Sequence, residues 1–135
     1  MRAILIDPFE IAVRSIVLPH ASHQPECLRA IYAALSHETV KVDTIDGVRL
    51  GKTGTDYLLV DGNGLVRDEK PQRWFMLWGW HGETLAGKGI IVGVTRNGSE
   101  CSTMLDLIEV EWRTRFFKSW GLYLAPTAEP WRRPQ

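Results

Sequence analysis

The sequence predicts a single α+β domain built on a mixed, mainly antiparallel sheet of about five to seven strands. One main helix over residues 25–36 and a short second helix over residues 103–109 are expected to cover it. Short apolar runs separated by Gly, Pro and Asn indicate strands and tight turns. Only the segment 25–36 repeats its apolar residues at helical spacing over more than one turn. Between residues 56 and 93, glycine-rich turns and apolar runs surround a group of tryptophans, so the sheet should be centred there.

The charge balance limits the classes of partner. The chain has 135 residues, with 16 Lys and Arg against 16 Asp and Glu, so its formal net charge is zero. Proteins that bind nucleic acid by neutralising phosphates usually carry a basic excess, so this balance disfavours a nucleic-acid-binding module. A protein of zero net charge also self-associates more readily than a charged one. We therefore expect a homo-oligomer.

The cysteines and the first residues indicate a compartment. Cys27 and Cys101 permit at most one disulfide. The opening apolar run carries a single basic residue and ends at Asp7-Pro8, unlike a secretory segment. No stretch approaches the roughly 20 apolar residues of a membrane span. We expect a cytoplasmic protein with free thiols and no membrane partner.

The first elements are a β-hairpin and the main helix. The apolar run 2–6 and the run 11–18 are expected to pair across a turn at residues 7–10. Pro25 and Glu26 suit the first turn of a helix. The residues expected to form its apolar, inward stripe recur at helical spacing: Leu28, Ile31, Tyr32 and Leu35.

The middle of the chain predicts more strands. Residues 39–45 alternate as a strand does, and the three glycines of residues 47–55 indicate a flexible loop. A second hairpin is expected over residues 57–66, with its turn at residues 61–64. The apolar run 90–94 predicts another strand.

The C-terminal third predicts a short helix followed by a strand. Leu105 and Ile108 are expected to face inward from the helix over 103–109. From Val110 the apolar residues alternate to residue 117, which places Arg113 and Arg115 on one charged strand face. That pair could bind phosphate or an acidic protein, or could be a solvated face paired with neighbouring glutamates. A short strand at 121–124 closes the domain, 1–124, and residues 125–135 form a proline-rich tail.

The tryptophans are the main candidates for a binding site. Trp74 and Trp78 are four residues apart, and Trp78 and Trp80 two apart, so either a helix or a strand brings one pair onto a common face. Exposed indoles stack on nucleobases or anchor protein partners. The same rings could instead fill the core. Arg73 and His81 flank the run and favour nucleotide binding.

Glycines and Lys88 between residues 82 and 93 resemble a phosphate loop only superficially. The spacing fits neither common phosphate motif, and an apolar strand rather than a helix follows. A bend leading into a strand is the better interpretation, although Lys88 stays a candidate contact for an anionic ligand.

The sequence provides little support for metal binding or catalysis. His20, His23 and Cys27 have suitable spacing for a metal, but Pro25 interrupts a shared helix and the fourth ligand is undefined. No nucleophile elbow is present. We expect no enzyme activity and no cofactor.

Several ordered landmarks carry a resemblance to a known family. They are residues 2–8, the helix around Ile31-Tyr32, residues 56–65, residues 85–93 and a closing strand near residues 112–117. Together these are similar to a family of small phage-, plasmid- and bacterium-encoded domains of unknown function. The resemblance implies a compact α+β domain from a mobile genetic element, acting in a bacterial host. It implies no catalytic residues, and the tryptophan run and the tail depart from the family pattern.

The expected function is therefore that of a non-catalytic, phage-type accessory protein that inhibits or sequesters a host defence component by binding. The alternatives are an oligomeric sponge for a nucleotide signal and, third, a nucleic-acid-binding module. The residues expected to contact the partner or ligand are Arg73, Trp74, Trp78, Trp80, His81, Lys88, Arg113 and Arg115.

Overall fold

The computed structural model describes residues 1–20, 24–38, 40–50, 55–64, 72–119 and 122–124. Within these ranges the chain forms ten strands and two helices. In chain order they are β1 (Arg2–Asp7), β2 (Ala12–Val17), α1 (Gln24–Leu35), β3 (Ile45–Leu50), β4 (Asp56–Asp61), β5 (Trp74–Leu77), β6 (His81–Ala86), β7 (Gly89–Val94), β8 (Glu100–Cys101), α2 (Leu107–Arg113), β9 (Thr114–Ser119) and β10 (Leu122–Leu124). The predicted α+β class is confirmed.

The described strands form two antiparallel sheets. The first has the order β2-β1-β7-β4-β3, and β8 pairs with the end of β7. The second has the order β10-β9-β5-β6. The predicted N-terminal hairpin is confirmed, because β1 and β2 pair from Arg2 opposite Val17 to Asp7 opposite Ala12. The Asp7 carboxylate accepts backbone N–H bonds from Phe9 and Glu10, which closes the turn between them.

The first sheet is the middle layer of the domain. Ile4 and Ile6 belong to the core that it shares with the second sheet. Ala3 and Leu5, on its other face, belong to the core beneath α1. A strand covered on both faces is apolar at nearly every position, which explains the continuous runs of β1 and β7. Each large side chain buried there stabilises the fold by about 1.5–3 kcal/mol.

Gly89 allows the two sheets to approach each other at the start of β7. A Cβ at this position would lie 2.6 Å from Phe75 Cζ and 2.9 Å from Leu58 Cδ1. Neither atom can withdraw easily, because Phe75 and Leu58 are both fully buried. The predicted bend into this strand is confirmed, with Gly87 at a φ of 78°.

The main helix agrees with its prediction to within one residue at each end, but its buried face is rotated. Cys27, Ile31 and Leu35 are buried at a spacing of four residues, whereas Leu28 is 42% exposed. The stripe predicted to start at Leu28 was therefore wrong at that position. Cys27 takes the inward position in place of Leu28, because its small side chain packs closely against the sheet.

The region around β3 was also predicted wrongly. Residues 41–44 have no regular structure, and the strand runs over Ile45–Leu50, part of the segment predicted as a loop. β3 is an edge strand with several exposed positions, so its sequence lacks the apolar pattern of an inner strand. Its partner is β4, which also pairs with β7. The predicted return strand at residues 65–66 lies outside the described residues.

The second helix lies later than predicted, over Leu107–Arg113, so the strand predicted from Val110 begins only at Thr114. Thr103 is held in an extended segment because its hydroxyl donates to the buried Asp56 carboxylate at 2.6 Å. Val110 is buried and Ile108 is 58% exposed, opposite to the predicted direction of Ile108. Because Arg113 ends the helix and Arg115 lies in β9, they do not share a strand face.

Candidate functional site

The tryptophan segment forms a turn between β5 and β6, next to the end of α2. Gly79 is in the middle of this turn with a φ of 79°, a value that L side chains rarely adopt. The Trp80 N–H donates to the Leu77 carbonyl at 3.1 Å. The Trp78 N–H donates to the Arg113 carbonyl at 2.8 Å, which joins the turn to the helix.

The side chain of Arg113 strengthens this junction. Its Nε and Nη2 lie 3.0 and 2.9 Å from Glu109 Oε1, one helical turn earlier. Its Nη1 donates to the Trp78 carbonyl at 3.0 Å. Its Cζ lies 4.5 Å from the centroid of the Trp80 ring, within range of a cation–π interaction. One guanidinium therefore connects α2 with both tryptophans of the turn.

Gly79 makes room for this guanidinium. A Cβ on Gly79 would lie 2.6 Å from Arg113 Nη1, closer than real Cβ contacts. The backbone conformation of the turn thus favours glycine here, and a side chain at this position would also displace the Arg113 guanidinium.

An exposed apolar surface lies beside this junction. The rings of Trp78 and Trp112 meet edge to face, with centroids 5.3 Å apart and an interplanar angle of 80°. Trp78 is 51% exposed. Ile108 precedes Trp112 by one helical turn and so lies on the same face of α2. We call Trp78, Ile108 and Trp112 the α2 patch. Met104, shortly before the helix, is exposed as well.

The other predicted tryptophans are less accessible. Trp80 is half-buried beneath Arg113 and packs against the core. Trp74 is half-buried in β5, opposite Ala86 and Phe117. Because Phe75 and Leu77 point into the core, the alternation of the strand places Trp74 on the outer face of the second sheet.

The predicted cations lie in different places. Lys88 Nζ donates to the Ser36 carbonyl at 3.2 Å and lies 3.8 Å from the buried Asp7 carboxylate, so this ammonium holds the fold together. Arg115 Nη1 donates to the Trp112 carbonyl at 2.7 Å and so caps the end of α2 beside the patch. Arg73 Nη1 donates to the Gln72 carbonyl at 3.1 Å.

His81 pairs with Leu77 across β5 and β6. Its Nε2 is buried and has no hydrogen-bond partner among the described residues, and the Glu83 carboxylate lies 4.0 Å away. The binding roles predicted for His81, Lys88 and Arg73 remain predictions. Of the predicted set, the structure brings Trp78, Trp80 and Arg113 together, with Arg115 beside them.

Sequence reasoning missed Ile108 and Trp112 as parts of this surface. The pairing of Arg113 with a neighbouring glutamate, one of the alternatives left open, is confirmed for Glu109. The Ile108–Trp112 and Glu109–Arg113 pairs both have the i, i+4 spacing of neighbours on a helix. That signal is visible only if residues 107–113 are interpreted as helix, and the alternating pattern of residues 110–117 favoured a strand.

A carboxylate borders the patch on the opposite side of α2 from Arg113. Partial burial raises the pKa of Glu111 above its ordinary value. Across the described ranges, the Glu111 side chain has neither a hydrogen bond nor an ion pair. Glu109, by contrast, is neutralised by Arg113.

Nothing in the described residues indicates a metal centre or a membrane segment. Three His, Cys, Asp or Glu side chains do not come together there in an arrangement able to hold a metal ion. His23, one of the predicted ligands, lies outside those residues.

Burial, chiefly, and the nearby Glu100 raise the pKa of the Cys27 thiol, and the N-terminal ammonium partly opposes them. Neither α1 nor α2 has the length and apolar content to cross a membrane.

Comparison with known proteins found no match: no family model, no curated protein and no solved structure is significantly similar to this chain. The resemblance of its landmarks to the phage and plasmid domain family therefore remains a prediction.

Proposed function

We propose that this is a non-catalytic binding protein that docks on a protein partner through the α2 patch. The observation that carries the proposal is the exposure of Trp78 and Ile108 beside Trp112, which makes one contiguous apolar surface. Tryptophan is the residue most enriched among those that dominate binding energies at protein interfaces. An aliphatic side chain next to two indoles adds apolar area that a partner can cover.

The rigidity of the patch supports the same conclusion. Trp78 is fixed by backbone hydrogen bonds and by the Arg113 side chain, and its ring rests against Trp112. A side chain that is already held in place loses little conformational entropy on binding.

The biological setting in this proposal is that of an accessory protein of a mobile genetic element in the cytoplasm of a bacterial host. There the α2 patch would occupy a surface of a host defence component and inhibit or sequester it. The resemblance of the sequence landmarks to phage and plasmid domains supports this setting, and the exposed apolar patch supports the mode of action.

A nucleotide sponge is the second candidate. The exposed indole of Trp78 favours it, because a base can stack on such a ring. The cations predicted to contact an anionic ligand have partners within the chain. Arg113 binds Glu109, and Lys88 lies between Asp7 and Ser36. Arg73 and Arg115 donate to backbone carbonyls. We therefore rank this function below protein binding.

A capture experiment with matched variants tests the proposal. The wild type, the double variant Trp78→Ala/Ile108→Ser and the control Leu28→Ser are immobilised and exposed to lysate of a bacterial host, and bound proteins are quantified. Leu28 is an exposed apolar residue on α1, which covers the opposite face of the first sheet. We expect a component that binds the wild type and the control and is lost with the double variant.

The partner so found is then purified and titrated against each variant. Equal binding by the wild type and the double variant, or no specific component at all, would contradict the proposal. Quenching of tryptophan fluorescence by cyclic nucleotides at micromolar concentration, abolished by Trp78→Ala, would instead favour the nucleotide sponge.

A further inference from the structure

The position of Glu111 next to the α2 patch bears on the charge of the surface that a partner presents there. Glu111 follows Ile108 by three residues and Leu107 by four, so it lies between the exposed face of α2 and the core. Leu107 packs against the core cluster, which accounts for the partial burial of the neighbouring carboxylate. Glu111 thus belongs to the surface that a partner of the patch would cover.

The two sides of the patch differ in charge. On one side, Glu109 is neutralised by Arg113. On the other side, the Glu111 carboxylate forms no ion pair among the described residues. Arg115, just after the end of α2, donates its Nη1 to the carbonyls of Trp112 and Thr114 and not to this carboxylate. Glu111 is therefore a negative charge beside the patch that has no ionic partner in the described part of the chain.

Docking would remove the remaining water from Glu111. A buried charge without a partner is strongly unfavourable, whereas a buried carboxylate bound to Lys or Arg gains a charge-assisted hydrogen bond. A neutral apolar partner would leave the charge uncompensated, and an acidic one would repel it.

We propose that the partner surface is apolar and cationic: a protein segment whose apolar side chains cover Trp78, Ile108 and Trp112 while a Lys or Arg side chain binds Glu111. This inference rests on the proposed function of the α2 patch. It adds the charge of the partner, and thereby separates a cationic occupant from acidic or neutral segments.

Selection from a random library of displayed 12-residue peptides tests the charge directly. The library is selected on the full-length wild type, and peptides that also bind Trp78→Ala/Ile108→Ser are removed. We expect the remaining peptides to combine large apolar residues with Lys or Arg. One such peptide is then titrated by fluorescence anisotropy against the wild type, Glu111→Gln and the control Glu26→Gln. Glu26 is an exposed carboxylate on α1.

Glu111→Gln should weaken the peptide about 10-fold, because the variant removes the charge from a charge-assisted hydrogen bond. Glu26→Gln should leave the affinity unchanged. Replacement of the basic residue of the peptide by norleucine should weaken binding to the wild type but not to Glu111→Gln, because the two changes remove the same contact. Circular dichroism of each variant checks that it is folded.

Two results would overturn the inference in different ways. If the peptides that depend on the patch are neutral or acidic, or bind Glu111→Gln as well as the wild type, the charge of the partner is wrong while the patch remains a binding surface. If no peptide depends on Trp78 and Ile108, the inference and the proposed function both fail.

Discussion

The guanidinium of Arg113 lies over the ring of Trp80, 4.5 Å from its centroid, while its Nη1 binds the carbonyl of Trp78. One side chain at the end of α2 thus contacts both tryptophans of the β5–β6 turn. Since Trp112 on α2 also touches Trp78, the helix and the turn form one unit. The exposed rings are therefore held by the same contacts that stabilise the fold.

Removing Arg113 tests this unit. Arg113→Ala deletes hydrogen bonds to a carboxylate and a carbonyl and exposes Trp80, so it should lower the free energy of unfolding by about 1–3 kcal/mol. Arg113→Lys keeps the charge but cannot reach both partners at once, so its effect should be intermediate. Urea unfolding measures both. Lys118→Ala, at an exposed site on β9, is the control, and an equal effect of Arg113→Ala and Lys118→Ala would contradict the role assigned to Arg113.

Gly79 offers a second test with a close control. Gly79→Ala introduces unfavourable backbone conformation and a Cβ 2.6 Å from Arg113 Nη1. Gly98→Ala introduces a similar backbone conformation, at a φ of 85°, but its Cβ meets nothing within 4 Å. Gly98→Ala should cost about 1–2 kcal/mol of unfolding free energy, and Gly79→Ala more. The excess should disappear in an Arg113→Ala background, and if it persists, the Gly79–Arg113 contact is not its cause.

Gly89 tests the contact between the sheets. Gly89→Ala would force a methyl group against Phe75 and Leu58, and overpacking of this kind costs about 1–3 kcal/mol. Gly47→Ala, in the edge strand β3, is the matched control, because its Cβ would meet Leu59 and Tyr57 at an ordinary 3.5 Å. Thermal unfolding should show a clearly lower Tm for Gly89→Ala alone. Equal Tm values for the two variants would show that the close approach at Gly89 is unimportant.

Glu111 predicts a dependence of stability on pH. Its pKa is higher in the folded than in the unfolded chain, so the folded state binds the proton more tightly. The stability associated with this group is fully present below its unfolded pKa and is lost as pH rises through the folded pKa. Glu111→Gln should therefore be slightly more stable than the wild type at pH 7, by less than about 0.5 kcal/mol. Urea unfolding at pH 7 and pH 4 should show a smaller difference at the lower pH, and a wild type more stable than Glu111→Gln at pH 7 would contradict it.

The sequence predicts those strands and helices in which the spacing of apolar residues matches the faces that are buried. The runs containing Ile4 and Ile91 are continuous and apolar because both faces of these strands are covered, and α1 has a clear helical period. The prediction for residues 107–113 was wrong because a helix of only two turns needs few apolar residues that face the core. Here Val110 and the half-buried Leu107 are sufficient. The alternation of apolar and polar residues, which is typical of a strand and continues through β9, then favours a strand prediction for this segment as well.

Only part of the candidate site could be predicted, because the sequence shows residue types but not the tertiary contacts they make. Trp78 and Arg113 are conspicuous by residue type, so sequence alone selects them. Lys88 was selected on the same ground, but the Asp7 carboxylate that engages it is remote in the chain, and only the tertiary structure brings them together. Conversely, Ile108 is an ordinary residue that acquires importance only from its exposed position beside Trp112.

The place of β7 between β1 and β4 has a consequence for biosynthesis. The hairpins β1–β2 and β3–β4 do not pair with each other, and β7 joins them through Ile90 and Ile91. While the protein is being translated, both hairpins emerge from the ribosome before the strand that unites them. The edges of β1 and β4 that pair with β7 therefore stay uncovered until residues 89–94 have left the exit tunnel, so completion of this sheet has to wait for a strand from the C-terminal half of the chain.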